Sequence, residues 1–180
     1  MIDIGHIQYG VRAEGLSSGI PMTFIDIVES PSIVKVEQMV ETIVRSVRAN
    51  AWVCIRGKHT LATGVGQLVK DLKTCKLSVE LLCSGIYKDP QWIKSVERVC
   101  VDHCVDGAFN FFALRNQDMV RFPVTRLEDL NFIEGELEKL KLCQAFRILS
   151  VRDSSNSLMI STANLAGKFE KTRVYQGGHD

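Results

Sequence analysis

Arg56-Gly57-Lys58-His59 puts two cations, a glycine and an imidazole in four consecutive residues. Thr60 comes next, in position to cap a helix, whose first amides carry partial positive charge. A strand-to-helix turn of that make-up suits a phosphate or a carboxylate. Solvated loop charges would read the same, and the run is not a Walker sequence. A second cluster, Cys100-Val101-Asp102-His103-Cys104, has the residue types of a zinc site. Four ligands are needed, however, and no matching cysteine pair stands elsewhere. On a helix, Cys100 and Cys104 would be small core residues one turn apart. Cys83, ahead of Ser84-Gly85, becomes a nucleophile only if His59 lies beside it. His6 and His179 stand alone near the ends. The chain has no GxSxG elbow, no HExxH pair and no paired-carboxylate spacing. Its aromatic residues do not interleave with basic ones as in a single-strand nucleic-acid platform.

These residues have to be positioned by the elements around them. Met22–Val28 is an apolar run suited to a strand buried on both faces. Spacings of three and four predict helices over Val34–Asn50, Leu61–Lys73 and Leu127–Leu142. In the last, Leu130, Ile133, Leu137 and Leu140 face inward and Glu134, Glu136, Glu138 and Lys139 outward. Pro90 suits a helix first turn, which predicts a helix over Trp92–His103. Strands are expected at Ala51–Ile55, Ser78–Cys83, Gly107–Leu114, Met119–Val124, Phe146–Val151 and Thr172–Gln176. Pro123 argues for an edge or an end. The stretch from Arg152 to Gly167 gives no clear signal. Alternating strands and helices predict an α/β fold, a mostly parallel sheet with ligands gathered at the carboxyl ends of its strands. Those ends carry Asp26 and Glu29, then Arg56 to Thr60, then Cys83 to Gly85, and finally Arg115, Asn116 and Arg152.

At 180 residues one domain, 1–180, is expected. A net charge of +1 gives no global field for nucleic acid or an acidic membrane. Neither a signal region nor a membrane-spanning run is visible, so a cytoplasmic protein is expected. The six cysteines are then expected as free thiols.

Read together, Arg12-Ala13-Glu14-Gly15, Gly19, Pro21, Phe24 and Ile25 resemble the N-terminal stretch of the 7-carboxy-7-deazaguanine synthases, which are radical S-adenosylmethionine enzymes. That family shows a Gln-Gly-Glu-Gly turn, spaced Gly and Pro, then Phe-Ile-Arg and a three-cysteine loop. Ile55-Arg56-Gly57-Lys58-His59-Thr60-Leu61 lies where the family has Ile-Thr-Gly-Gly-Glu-Pro-Leu. Leu82-Cys83-Ser84-Gly85 lies where it has Glu-Thr-Ser-Gly or Glu-Thr-Asn-Gly. Val120-Arg121-Phe122-Pro123-Val124 and the ending Arg173-Val174-Tyr175-Gln176 are similar to later family segments. The resemblance implies a partial (β/α) barrel of the radical S-adenosylmethionine type.

The departures are chemical. No cysteine precedes Cys54, whereas the family's cluster needs three loop thiolates. The turn that holds the methionine moiety in the family has become Gly57-Lys58-His59-Thr60. The family's substrate-contacting arginine has become Asp26. Cys100 and Cys104 offer no third partner for a replacement cluster. The resemblance and its departures together imply a cluster-less relative, a pseudoenzyme with no catalytic residues, no metal ligands and no cofactor expected. S-adenosylmethionine and the iron–sulfur cluster enter by resemblance alone. Its mouth, formed by Glu14, Gly15, Asp26, Arg56, Gly57, Lys58, His59, Ser84 and Arg121, is expected to bind an anionic small molecule or a partner protein, with the family's homodimer left open. One alternative is an active enzyme or accessory subunit of deazapurine (queuosine/preQ0) biosynthesis. The other is a small α/β phosphate- or nucleotide-binding protein in which Arg56, Lys58 and His59 grip phosphate.

Overall fold

Eight strands form one sheet in strict chain order, so each new strand is added beside the one before it. The computed structural model describes residues 2–12, 16, 18–30, 35–47, 52–57, 60, 62–84, 91–103, 114–152 and 155–176, the side chains of Thr63 and Ser84 aside. The strands are β1 (Ile2–Val11), β2 (Pro21–Glu29), β3 (Trp52–Arg56), β4 (Ser78–Ser84), β5 (Arg98–Asp102), β6 (Met119–Val124), β7 (Phe146–Val151) and β8 (Thr172–Gln176). The helices are α1 (Val36–Ser46), α2 (Thr63–Thr74), α3 (Leu127–Lys139) and α4 (Asn156–Ala166). β1 and β2 pair antiparallel, and every later pair is parallel. This is the α/β fold with mostly parallel strands that the alternation predicts.

One face of the sheet makes the main core. Ile25, Ile27, Val53, Ile55, Val79, Leu81, Val99, Val101, Val120, Phe122, Leu149 and Val151 point toward the helices. Against them pack Met39 and Ile43 of α1, Val65, Leu68, Val69 and Leu72 of α2, Ile133 and Leu137 of α3, and Leu158 and Leu165 of α4. These are the three-four stripes of amphipathic helices laid on a sheet whose inner residues alternate in steps of two. Gly66 lets α2 come close: a Cβ there would sit 2.6 Å from Trp92 Cδ1.

Three expectations change. Trp92–His103 is not a helix. A 3₁₀ turn spans Gln91–Ser95, and β5 begins at Arg98. Pro90 suggests a helix first turn, but the apolar run Val99-Cys100-Val101 is buried between β4 and β6, and sheet burial decides its conformation. Cys100 therefore lies on a strand, and Cys104 falls outside the described residues. Glu136 does not face solvent but is buried and hydrogen-bonded to His103. The stretch after Arg152 contains α4. The strand expected over Gly107–Leu114 lies outside the described residues except for Leu114, which is in no strand. Pro123 stands at the carboxyl end of β6, inside the sheet order.

Candidate functional site

Residues of even number in β2 to β5 and β7, and of odd number in β6, point to the other, concave face. Its floor is a second apolar cluster of Met22, Phe24, Cys54, Leu82, Cys100, Met119 and Ile148, with Leu16 and Ile20 packed over it from the β1–β2 connection. Leu16 N–H meets the Met119 sulfur at 3.0 Å. Within this floor Arg12 Nε lies 3.2 Å from Glu80 Oε1, with both side chains at most 1% exposed. A carboxylate on a buried strand requires such a partner, because an uncompensated buried charge costs several kcal/mol, roughly 3–5.

Two residues further along each strand, at the carboxyl ends, the face turns polar. In the register Asp26 is beside Arg56, Ser84 beside Asp102 and Asp102 beside Arg121. The parallel strands thus deliver side chains distant in sequence to one rim. Arg56 Nε donates to Asp26 Oδ1 at 2.5 Å and its Nη2 donates to Gln8 Oε1 at 3.2 Å. The guanidinium carbon lies 5.1 Å from the centre of the Phe24 ring. No hydrogen bond to a described residue uses Arg56 Nη1. Further round the rim, Arg121 is held in bidentate fashion by Asp102, Nε to Oδ1 at 2.5 Å and Nη2 to Oδ2 at 2.7 Å. Bidentate charge-assisted pairs of this kind fix orientation as well as charge.

Gly57 ends β3 at φ +120°, a conformation side chains rarely adopt, and a Cβ there would lie 2.6 Å from Ile27 O. That approach is what lets the β3 turn lie against β2. Thr60 is buried, close to the Cys83 thiol. Burial pushes the Cys83 thiol up to about 12, the Thr60 side chain only partly opposing it. Cys83 also faces the helix-side core. It is a buried thiol, not an activated nucleophile.

On the helix side of β5, His103 Nε2 is 2.8 Å from Glu136 Oε2. The ring stacks with Phe132 at 6.0 Å and meets Phe122 edge-on at 5.1 Å. Burial alone would raise the Glu136 carboxyl. Hydrogen bonds from Lys139 and His103 outweigh it and hold the group below its usual range.

Of the residues expected at the mouth, Asp26 and Arg56 touch, Gly57 abuts them, and Arg121 and the backbone of Ser84 stand further round the same rim. Glu14, Gly15, Lys58 and His59 lie outside the described residues. Arg115 is at the opposite end of the sheet, locked to Asp118, which also accepts Val99 N–H. Gln8, the rim position of Asp102 and the Arg12–Glu80 pairing were not read from sequence. An acid at the last position of a buried strand is the signal that marks Asp102.

The cluster of the resembled family does not fit the thiols found here. Cys54 and Cys100 share the concave face but lie on β3 and β5 with β4 between them. Burial pushes both thiols up, Cys100 to about 12, and the Glu80 carboxylate adds to the effect on Cys54. Buried protonated thiols two strands apart do not make the set of thiolates an iron–sulfur cluster needs. Among the described residues no group of three histidine, cysteine, aspartate or glutamate side chains is placed to hold a metal ion.

A mostly parallel sheet, helices on one face and a polar rim at the strand ends together describe a partial α/β barrel. In overall shape the chain is similar to QueE from Escherichia coli, whose crystal structure it matches with a TM-score of 0.72 over 98% of this chain and 93% of that one, at 14% identity. The chain has a QueE-like fold, and the barrel expected from the resemblance is observed. No family model matches the chain, and no curated protein matches it either. No helix among the described residues is long and apolar enough to cross a membrane.

Proposed function

We propose that the chain is a cluster-less relative of the 7-carboxy-7-deazaguanine synthases, retaining the barrel and using its mouth to bind a small carboxylated or phosphorylated molecule without radical chemistry. One observation carries this reading. Arg56 is fixed over Phe24 by Asp26 and Gln8, yet keeps Nη1 for a ligand. A planar guanidinium pre-oriented in this way binds an oxyanion without first losing its own rotamer freedom. Asp26 partly neutralises it, which favours a ligand that is polar on both sides over a bare anion. The sequence supports the loss of radical chemistry, because three thiolates are required and none precedes Cys54. Neither S-adenosylmethionine nor a cluster is part of the proposed mechanism.

Anaerobic reconstitution with iron and sulfide is expected to give a colourless protein. A stable brown species absorbing in the charge-transfer region would end the reading. Binding is tested with a carboxylated pterin as probe. Arg56→Gln is expected to weaken it at least tenfold, about 1.4 kcal/mol. Product formation from that probe with S-adenosylmethionine and a reductant would instead establish the enzyme of deazapurine biosynthesis.

A further inference from the structure

The opposite end of the sheet holds a different charge arrangement. Arg147, at the start of β7, is only 5% exposed. Its Nη1 donates to Glu170 O at 2.7 Å, and its Nη2 donates to Cys143 O at 3.1 Å and to Leu140 O. The guanidinium thereby ties the turn after α3 to the turn before β8. All three acceptors are neutral carbonyls, and among the described residues no carboxylate forms an ion pair with Arg147. Burial lowers its pKa, and the charges of Cys143 and Glu170 oppose that only in part. Buried charges in proteins are usually compensated by an opposite one.

Arg147 opens on a cavity of about 330 Å³ that Lys141, Lys168 and Lys171 also line, with Glu170 the one acid among the lining residues. Lys171 Nζ has neutral partners, Asn116 Oδ1 at 3.2 Å and Gln144 O at 3.1 Å. Lys168 pairs with Glu134 and Lys141 with Glu138, all four well exposed. Such surface pairs hold little energy, typically below about 1 kcal/mol, and yield to a stronger anion. The volume is at the small end of ligand sites, which start near 300 Å³.

We propose that this cavity is an oxyanion site, separate from the mouth, that takes the phosphate dianion or the phosphate group of a small monoester. Two cations without carboxylate partners, backed by two lysines in weak pairs, supply the countercharge. The phosphate oxygens accept from the Lys168 and Lys171 ammonium groups while Arg147 contributes its charge from behind.

The test is titration with inorganic phosphate at constant ionic strength, followed by thermal unfolding and calorimetry. Phosphate is expected to raise the unfolding midpoint saturably, where chloride does not. The paired substitution Lys168→Gln with Lys171→Gln is expected to weaken phosphate at least tenfold while Lys70→Gln, on α2, leaves it unchanged. Lys141→Gln, whose side chain has only an exposed pair and the Phe169 ring to lose, provides a second variant should the pair disturb folding, with a smaller weakening expected. Equal effects of phosphate and chloride on the unaltered protein would overturn the proposal, as would undiminished affinity in the lysine variants. A short oligonucleotide that binds more tightly than phosphate and is released by the same variants would overturn the small-ligand assignment in favour of nucleic acid. The Arg56→Gln variant should bind phosphate normally, which separates this site from the mouth.

Discussion

The two faces of the sheet are built on different terms. The helix-covered face is apolar from β2 to β7 and closes with Met39, Leu68, Ile133 and Leu158. The concave face carries an apolar floor too, but it places Arg12 and Glu80 inside it and alternates aspartate and arginine along its rim. Hydrophobic burial accounts for the first face apart from the His103–Glu136 contact and Arg147 at its margin. It does not account for the second, where each buried or half-buried charge needs a named partner. The contrast separates residues that make the chain fold from residues that make this fold do something.

The largest effect expected from this contrast is at Glu80. Glu80→Gln removes the carboxylate 3.2 Å from the buried Arg12 guanidinium, and a loss of roughly 3–5 kcal/mol is expected in urea unfolding. Leu68→Ala, on the helix face, is expected to cost about 3 kcal/mol by leaving a cavity. The two should differ in salt dependence: weakly screened for the buried pair, and absent for the leucine. A Glu80 variant that loses less than about 1 kcal/mol would mean that the concave interior is open enough to hydrate Arg12.

A second, smaller difference is expected with pH. The Glu136 carboxyl is held below its ordinary value of 4.5 by Lys139 and His103. A lowered acid contributes stability that is complete above its unfolded value and is lost as pH falls through the folded one. Between about pH 5 and pH 3 the protein should therefore lose stability more steeply than Glu136→Gln does. Parallel slopes for the two proteins would show that the helix-face dyad is not the acid-sensitive contact.

The helix face was legible because it obeys a single rule. The three-four stripes of α1, α2 and α3 and the apolar runs of β2, β3, β4, β6 and β7 are visible in the residues themselves. The misses have particular causes. β1 hides because its register shifts between Ile4 and His6, so Ile2 and Ile4 fall out of step with Ile7. β5 hides behind Pro90, which reads as the first turn of a helix over Trp92–His103. The rim was half legible. Asp26 and Arg56 stand at strand ends in the alternating reading and Arg121 came from the family resemblance, but their partners Gln8 and Asp102 come from strands that the sequence disguised. Pairing across strands is a property of register, and register is not written in any one strand.

The smallest expected effect on stability is the most informative about the mouth. The Asp26 and Arg56 side chains are 32% and 16% exposed, so their pair is partly screened. Asp26→Asn should change stability by less than about 1 kcal/mol, several-fold less than Glu80→Gln. Its effect on binding should run the other way. The amide can still accept from Arg56 Nε but no longer neutralises the guanidinium. The carboxylated probe should then bind more tightly, while Arg56→Gln binds it more weakly. That pair of opposite signs would identify Arg56 as the anchor and Asp26 as the group that limits its affinity for bare anions. If both variants weaken binding, Asp26 itself accepts a hydrogen bond from the ligand, and the site selects a molecule with a donor beside its acid. If neither variant moves it, the rim pairs hold β2 to β3 and β5 to β6, and the concave face is scaffold like the other.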